Sequence, residues 1–123
     1  MLEQFEQYNM VNGIPAISIS ENGVGFNAAC VAKMNMCNFV KVFVDNTNNR
    51  IAIQIADKND DGAVSFFTNQ KSKTVRWNQS DFLRMLSKMM QVDFSKKVYR
   101  VCGEYCFDEK AMVFDLKAAK KIK

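Results

Sequence analysis

Four cysteines, seventeen basic residues and no histidine make up most of the reactive inventory of this 123-residue chain. Thiolates at short spacing can share a tetrahedral zinc. Cys30 and Cys37, however, are separated by six residues and Cys102 and Cys106 by three, which together do not give the paired spacing of a zinc ribbon. Cys30 falls in a helical stretch and Cys102 in a strand, where a thiol serves as a small apolar side chain, so all four are read as reduced. Without histidine, neither a serine nor a cysteine nucleophile has its usual base, and only lysine- or carboxylate-assisted variants remain open. The acidic pairs Asp60-Asp61 and Asp108-Glu109 lie in turn-like segments, where a solvated carboxylate lacks the burial that raises its pKa. No glycine-rich phosphate cradle of the GxGxxG or GKS/GKT type occurs. The chain reads as a non-enzyme, with no cofactor and no metal site expected.

The basic residues are the informative signal. Residues 1–62 carry four basic against seven acidic residues, a balance of −3, whereas residues 63–123 carry thirteen against six, a balance of +7. Lys71, Lys73 and Arg76 sit in and beside a turn, and Lys96, Lys97 and Arg100 at the mouth of a hairpin. Four lysines close the chain between Lys117 and Lys123. Such clusters neutralise backbone phosphates and release counterions, and the guanidinium groups of Arg76 and Arg100 can also bond bidentately. The bland reading of the same residues is a solvated face with a solubilising tail.

These residues need elements to hold them. Leu2 to Met10 reads as a short helix or arm, so residues 1–15 are set apart. Ala16 to Ser20 alternates, Glu21-Asn22-Gly23 signals a tight turn and Val24 to Phe26 alternates again. Asn27 reads as the N-cap of a helix through Met34. Phe39–Val44 and Arg50–Ile55 form a second hairpin around an Asp/Asn turn, and Asp57 to Gly62 is a polar linker. The order then recurs: Ala63–Phe66 and Val75–Asn78 as a hairpin, Asn78 with Asp81 as a capping box, a helix from Gln79 to about Met90, and a last hairpin of Val98–Tyr105 and Met112–Leu116. Within that helix Phe82, Met85, Leu86 and Met89 form one apolar stripe. The fold class is therefore α+β: one domain of two tandem β-β-α-β-β repeats, residues 16–56 and 63–116, forming a small mixed barrel or sheet, followed by a basic tail over 117–123. Phe26 and Trp77 hold the same place before each helix and are assigned to the core. Phe66, Phe67, Tyr99 and Tyr105 are either core or a stacking platform for nucleic acid.

The run Val24-Gly25-Phe26-Asn27, helix, Phe39–Val44, turn, Ile51–Ile55 resembles the swapped-hairpin unit of the AbrB and MraZ transcription-regulator families. The likeness covers about 100 residues in element order, with Phe26-Asn27 and Trp77-Asn78 where those families carry Ile-Pro, and Lys33 and Arg84 at their helix arginine position. It implies an AbrB-like barrel in which two units interlock within one chain, and a role in transcription regulation.

The first expectation is accordingly a small cytoplasmic DNA-binding regulator that contacts duplex phosphates through Lys71, Lys73, Arg76, Lys96, Lys97 and Arg100, acting as a homodimer or higher homo-oligomer. The alternative is a non-catalytic binding protein of the counter-defence type, from a phage or mobile element, that takes a host protein or a small nucleotide. A third is an interaction module that associates through exposed aromatics. No apolar run is long enough for a membrane helix, and the acidic start does not resemble a secretory signal.

Overall fold

The computed structural model describes residues 2–5, 13–68 and 71–122. Of the first expected segment, residues 1–15, residues 1 and 6–12 lie outside these; residues 2–5 make one turn, closed by the Phe5 amide donating to the Leu2 carbonyl. From Ala16 the chain builds a small α+β domain around a curled, half-barrel antiparallel sheet. Its strands are β1 (Ala16–Ser20), β2 (Gly23–Phe26), β3 (Phe39–Asp45), β4 (Arg50–Ala56), β5 (Val64–Ser65), β6 (Val75–Trp77), β7 (Tyr99–Cys106), β8 (Ala111–Asp115) and β9 (Lys120–Lys121). Helix α1 (Ala28–Lys33) follows β2 and helix α2 (Ser80–Met90) follows β6. The spatial order is β5-β3-β4-β8-β7-β1-β2-β6, with β9 on β7.

Alternation explains why these segments are strands and which way they face. In β1 and β2 the buried side chains Ile17, Ile19, Val24 and Phe26 point one way, while Ser18 and Gly25 point the other. Phe26 sits at the middle of an aromatic cluster, with ring centroids 5.1 Å from Phe66, 4.9 Å from Trp77 and 6.4 Å from Phe114, all edge to face. Leu86 and Phe82 on α2 and Cys30, Val31 and Met34 on and after α1 close the same core.

Strand β7 is shared between two half-sheets. Tyr99–Cys102 pairs with β1, and Gly103–Cys106 pairs with β8. At the change of partner the Gly103 amide donates to the Pro15 carbonyl, 2.8 Å away.

Asn27 does more than cap α1. Its Oδ1 accepts from the Cys30 amide at 2.9 Å and from the Ala16 amide at 3.1 Å, and its Nδ2 donates to the Ile14 carbonyl at 2.9 Å. One side chain thereby ties the helix start to the start of β1. Asn27→Ala removes all three bonds at a partly buried site and is expected to cost about 2 kcal/mol, the upper end for a cap. An unfolding free energy from urea denaturation that falls by less than a quarter of that amount would contradict this.

Three expectations are corrected. The segments Ala63–Phe66 and Val75–Asn78 do not pair as a hairpin: β5 pairs with β3 and β6 with β2. A strand sends successive side chains to opposite faces, yet Phe66 and Phe67 are both buried, so the chain leaves the regular pleat there. The Phe66 and Phe67 amides stay on the β3 side, donating to Asn38 and Cys37 carbonyls. Next, the cap of α2 is Gln79, with no side-chain cap bond; Asp81 pairs with Arg84 at 3.2 Å instead of reaching back to Asn78. Finally, part of the expected tail is structured: Lys120 and Lys121 pair with Arg100 and Tyr99, and the Ile122 amide donates to the Val98 carbonyl.

Candidate nucleic-acid interface

Register brings together basic residues that are far apart in sequence. Arg76 on β6 lies opposite Gly25 on β2, Gly25 opposite Ser18 on β1, Ser18 opposite Arg100 on β7, and Arg100 opposite Lys120 on β9. Opposed residues in an antiparallel sheet share a face, so Arg76, Gly25, Ser18, Arg100 and Lys120 form one row across five strands. The core-facing neighbours Val24, Ile17 and Val101 fix the row on the outside, and Arg76, Ser18, Arg100 and Lys120 are all exposed. With strands roughly 4.8 Å apart, the two arginines are about 14 Å apart. Between them the floor is only a hydroxymethyl group and a bare α-carbon.

The Arg76 guanidinium leans inward along this row: a β-carbon placed on Gly25 would lie 3.7 Å from its Nη1. The strand segments β1, β2, β6, β9 and Tyr99–Cys102 contain no carboxylate. Three other cations of the domain are matched by carboxylates. Arg50 pairs with Asp45 at 2.8 Å, Lys117 with Asp115 at 3.0 Å and Arg84 with Asp81. Bonds from Asn48 and Arg50 hold the Asp45 carboxyl well below the usual carboxylate range, and bonds from Lys117 lower that of Asp115. Among the described residues Arg76, Arg100 and Lys120 make no ion pair. Their charge is therefore available to a partner from solution.

The other expected site residues flank the row at opposite ends. Lys71 and Lys73 lie in the exposed loop before Val75, and Lys96 and Lys97 in the turn before Tyr99. Strands β6 and β7 run in opposite directions, because Val75 is aligned through Phe26 and Ile17 with Val101, and Trp77 through Val24 and Ile19 with Tyr99. The six residues thus describe a diagonal, from Lys71 and Lys73 through Arg76 and Arg100 to Lys96 and Lys97. Lys120, Ser18 and Gly25 were not expected; the alternation of Ser18 and Gly25 with buried residues was the available signal, but it could not say which strands were neighbours.

On the far side of β6 the unpaired edges of β5 and β6 border a cleft of about 480 Å³, lined by Val42, Ser65, Arg76, Trp77, Asn78 and Phe82 among others. Arg100 is not part of it. Of the aromatics left open, Phe66 and Phe67 are core, while Tyr99 and Tyr105 are half-buried; the Lys33 ammonium lies over the Tyr105 ring at 5.5 Å.

The thiols fall into two environments, and Cys37 lies near enough to Cys30 to act on its titration. Burial pushes Cys30 up to about 12 and Cys37 up to about 11, whereas Cys102 and Cys106 face outward, which corrects the expectation that Cys102 is buried. Among the described residues no group of three or more cysteine or carboxylate side chains is gathered as a metal site, and no helix among them is long and apolar enough to cross a membrane. Compared with protein-family models, curated proteins and solved structures, the chain matches none.

Proposed function

We propose that the protein is a small DNA-binding regulator that grips duplex phosphates along the Arg76–Arg100–Lys120 row, with Lys71, Lys73, Lys96 and Lys97 extending the grip at its two ends. The observation that carries this reading is the row itself: unpaired cations on neighbouring strand segments that carry no carboxylate, over a floor small enough for close approach of a nucleic-acid backbone. A single row is a small footprint, so the working unit is proposed to be a homodimer, which doubles it.

The fold is proposed to be two tandem β-β-α-β-β units interlocked in the AbrB-like manner. Pairing supports this. The second strands of the two units, β2 and β6, pair with each other, as do the fourth strands, β4 and β8. The first strand of each unit pairs with the third strand of the other, β1 with β7 and β5 with β3. Such reciprocal exchange is what two swapped units give.

The alternative, a binder of a host protein or small nucleotide, draws on the cleft that holds Arg76 and Trp77. It is the weaker reading because Arg100 lies three strands away on the outer face.

The test is a salt titration of binding to a labelled duplex. Affinity is expected to fall steeply with salt, by a slope of about −0.9 per phosphate neutralised. Lys71→Ala, Lys73→Ala and Arg76→Ala together should weaken binding and flatten that slope by about two to three. No binding at low salt, or an unchanged slope in the triple variant, rejects the proposal.

A further inference from the structure

We infer that the cleft between β5 and β6 receives an unpaired nucleobase of the nucleic acid whose phosphates lie along the row. This rests on the DNA-binding reading and specifies what else the bound strand touches.

Position is the first argument. β6 is the edge of the basic half-sheet, so the row and the cleft lie on its two sides, and Arg76 belongs to both. A strand whose phosphate is held by Arg76 has the cleft next to it. The cleft also has a structural reason to be open: the ladder bonds of β5 go to β3 and those of β6 go to β2, so two strand edges face each other with no ladder between them. Packing of Phe66 against Trp77, 6.1 Å between centroids, sets the closed end of this seam.

Chemistry is the second. The walls include Val42, Trp77 and Phe82, an apolar surface with an indole on one side. The rim carries Ser65, Asn78 and Gln79, whose hydroxyl and amide groups both donate and accept hydrogen bonds. An aromatic wall plus neutral groups of both kinds matches the face and edge of a base, and the volume falls within the roughly 300–1,000 Å³ of small-molecule sites. Among the described residues no carboxylate lines the cleft to repel the attached phosphate.

Trp77 is the single tryptophan of the chain, so its emission reports on this cleft alone. The experiment compares a fully paired labelled duplex with the same duplex carrying one unpaired thymine, by anisotropy and by Trp77 fluorescence. The bulged duplex is expected to bind about tenfold more tightly, within the range of one stacked base, and to quench Trp77, whereas the paired duplex does neither. Ser65→Tyr, which fills the cleft from an exposed position, should erase the tenfold preference and leave paired-duplex affinity unchanged. Equal affinity for the two duplexes with unchanged Trp77 emission overturns the inference while leaving the DNA-binding proposal standing. Free thymidine monophosphate that quenches as strongly as the bulged duplex at equal concentration overturns the assignment to a strand-borne base. Failure of both duplexes to bind at low salt rejects the DNA-binding reading itself.

Discussion

Gly103→Val is expected to destabilise the domain by about 3 kcal/mol or more, the upper end for overpacking a core. The position is crowded on the inside of the bend where β7 passes from β1 to β8. A β-carbon there would lie 2.7 Å from Cε1 of Phe114 and 2.9 Å from Cγ and Sδ of Met112. Both neighbours are fully buried; the thioether has some freedom to swing, but the phenyl ring is held by Phe26 in an edge-to-face contact. Removing a glycine also restricts the unfolded chain, which favours folding by about 0.4–1 kcal/mol. The steric term wins because the contact is shorter than any relaxed carbon pair tolerates. Gly103→Ala should lie between valine and the wild type. Gly25 supplies the control within the same sheet, since its new β-carbon would meet only the Arg76 guanidinium at 3.7 Å, and Gly25→Ala should change stability by no more than about 0.5 kcal/mol. Urea denaturation of the three variants decides it: equal midpoints for Gly103→Val and Gly25→Ala would show that the bend has room to spare.

That pair of glycines also shows what the amino-acid pattern can and cannot reveal. Period-two alternation located β1, β2 and β4, because it depends only on neighbours in sequence, whereas β7 and β8 were placed by recurrence of the element order, which did not say that Cys102 faces outward. The Asn27 cap was legible for the same reason. Gly25 and Gly103 look alike in the sequence, each a glycine in an alternating run, and only the packing partner separates them. The β5–β6 hairpin failed because local turn chemistry at 70–73 suggested it, while the burial of both Phe66 and Phe67, a tertiary effect, sent the two strands to different neighbours. The candidate site was half visible. Arg76 and Arg100 stood out as cations near turns, but their alignment through Ser18 and Gly25 needs the order of four strands. Lys120 was set aside with the tail because nothing in a run of lysines and alanines announces a strand that pairs with β7.

Gly25→Glu should abolish most duplex binding, with affinity lowered roughly a hundredfold at moderate salt, and should do so without harm to the fold. The substitution adds a carboxylate at the centre of the row, where it can pair with Arg76 and so withdraw that cation from phosphate, and where it faces the incoming backbone with like charge. Arg100 lies two strands further along the same row, so its field is partly cancelled as well. Space does not decide the result, because the added β-carbon is in ordinary contact only with Arg76 and the residue lies on the outer face. Gly25→Gln has nearly the same shape with no charge and is expected to lose far less, which separates electrostatics from blockage of the floor. Ser18→Glu, one strand nearer to Arg100, should reproduce the large loss. A carboxylate at Ala52, on the outward side of β4 in the other half-sheet, should leave binding within about twofold, since the field of one surface charge is screened over roughly 8–10 Å at physiological salt. Anisotropy titrations at two salt concentrations, with thermal melts as the check on folding, give a clear reading: if Gly25→Glu folds and binds as the wild type does, phosphates do not pass over this row, and the lysines at its ends are a solvated surface.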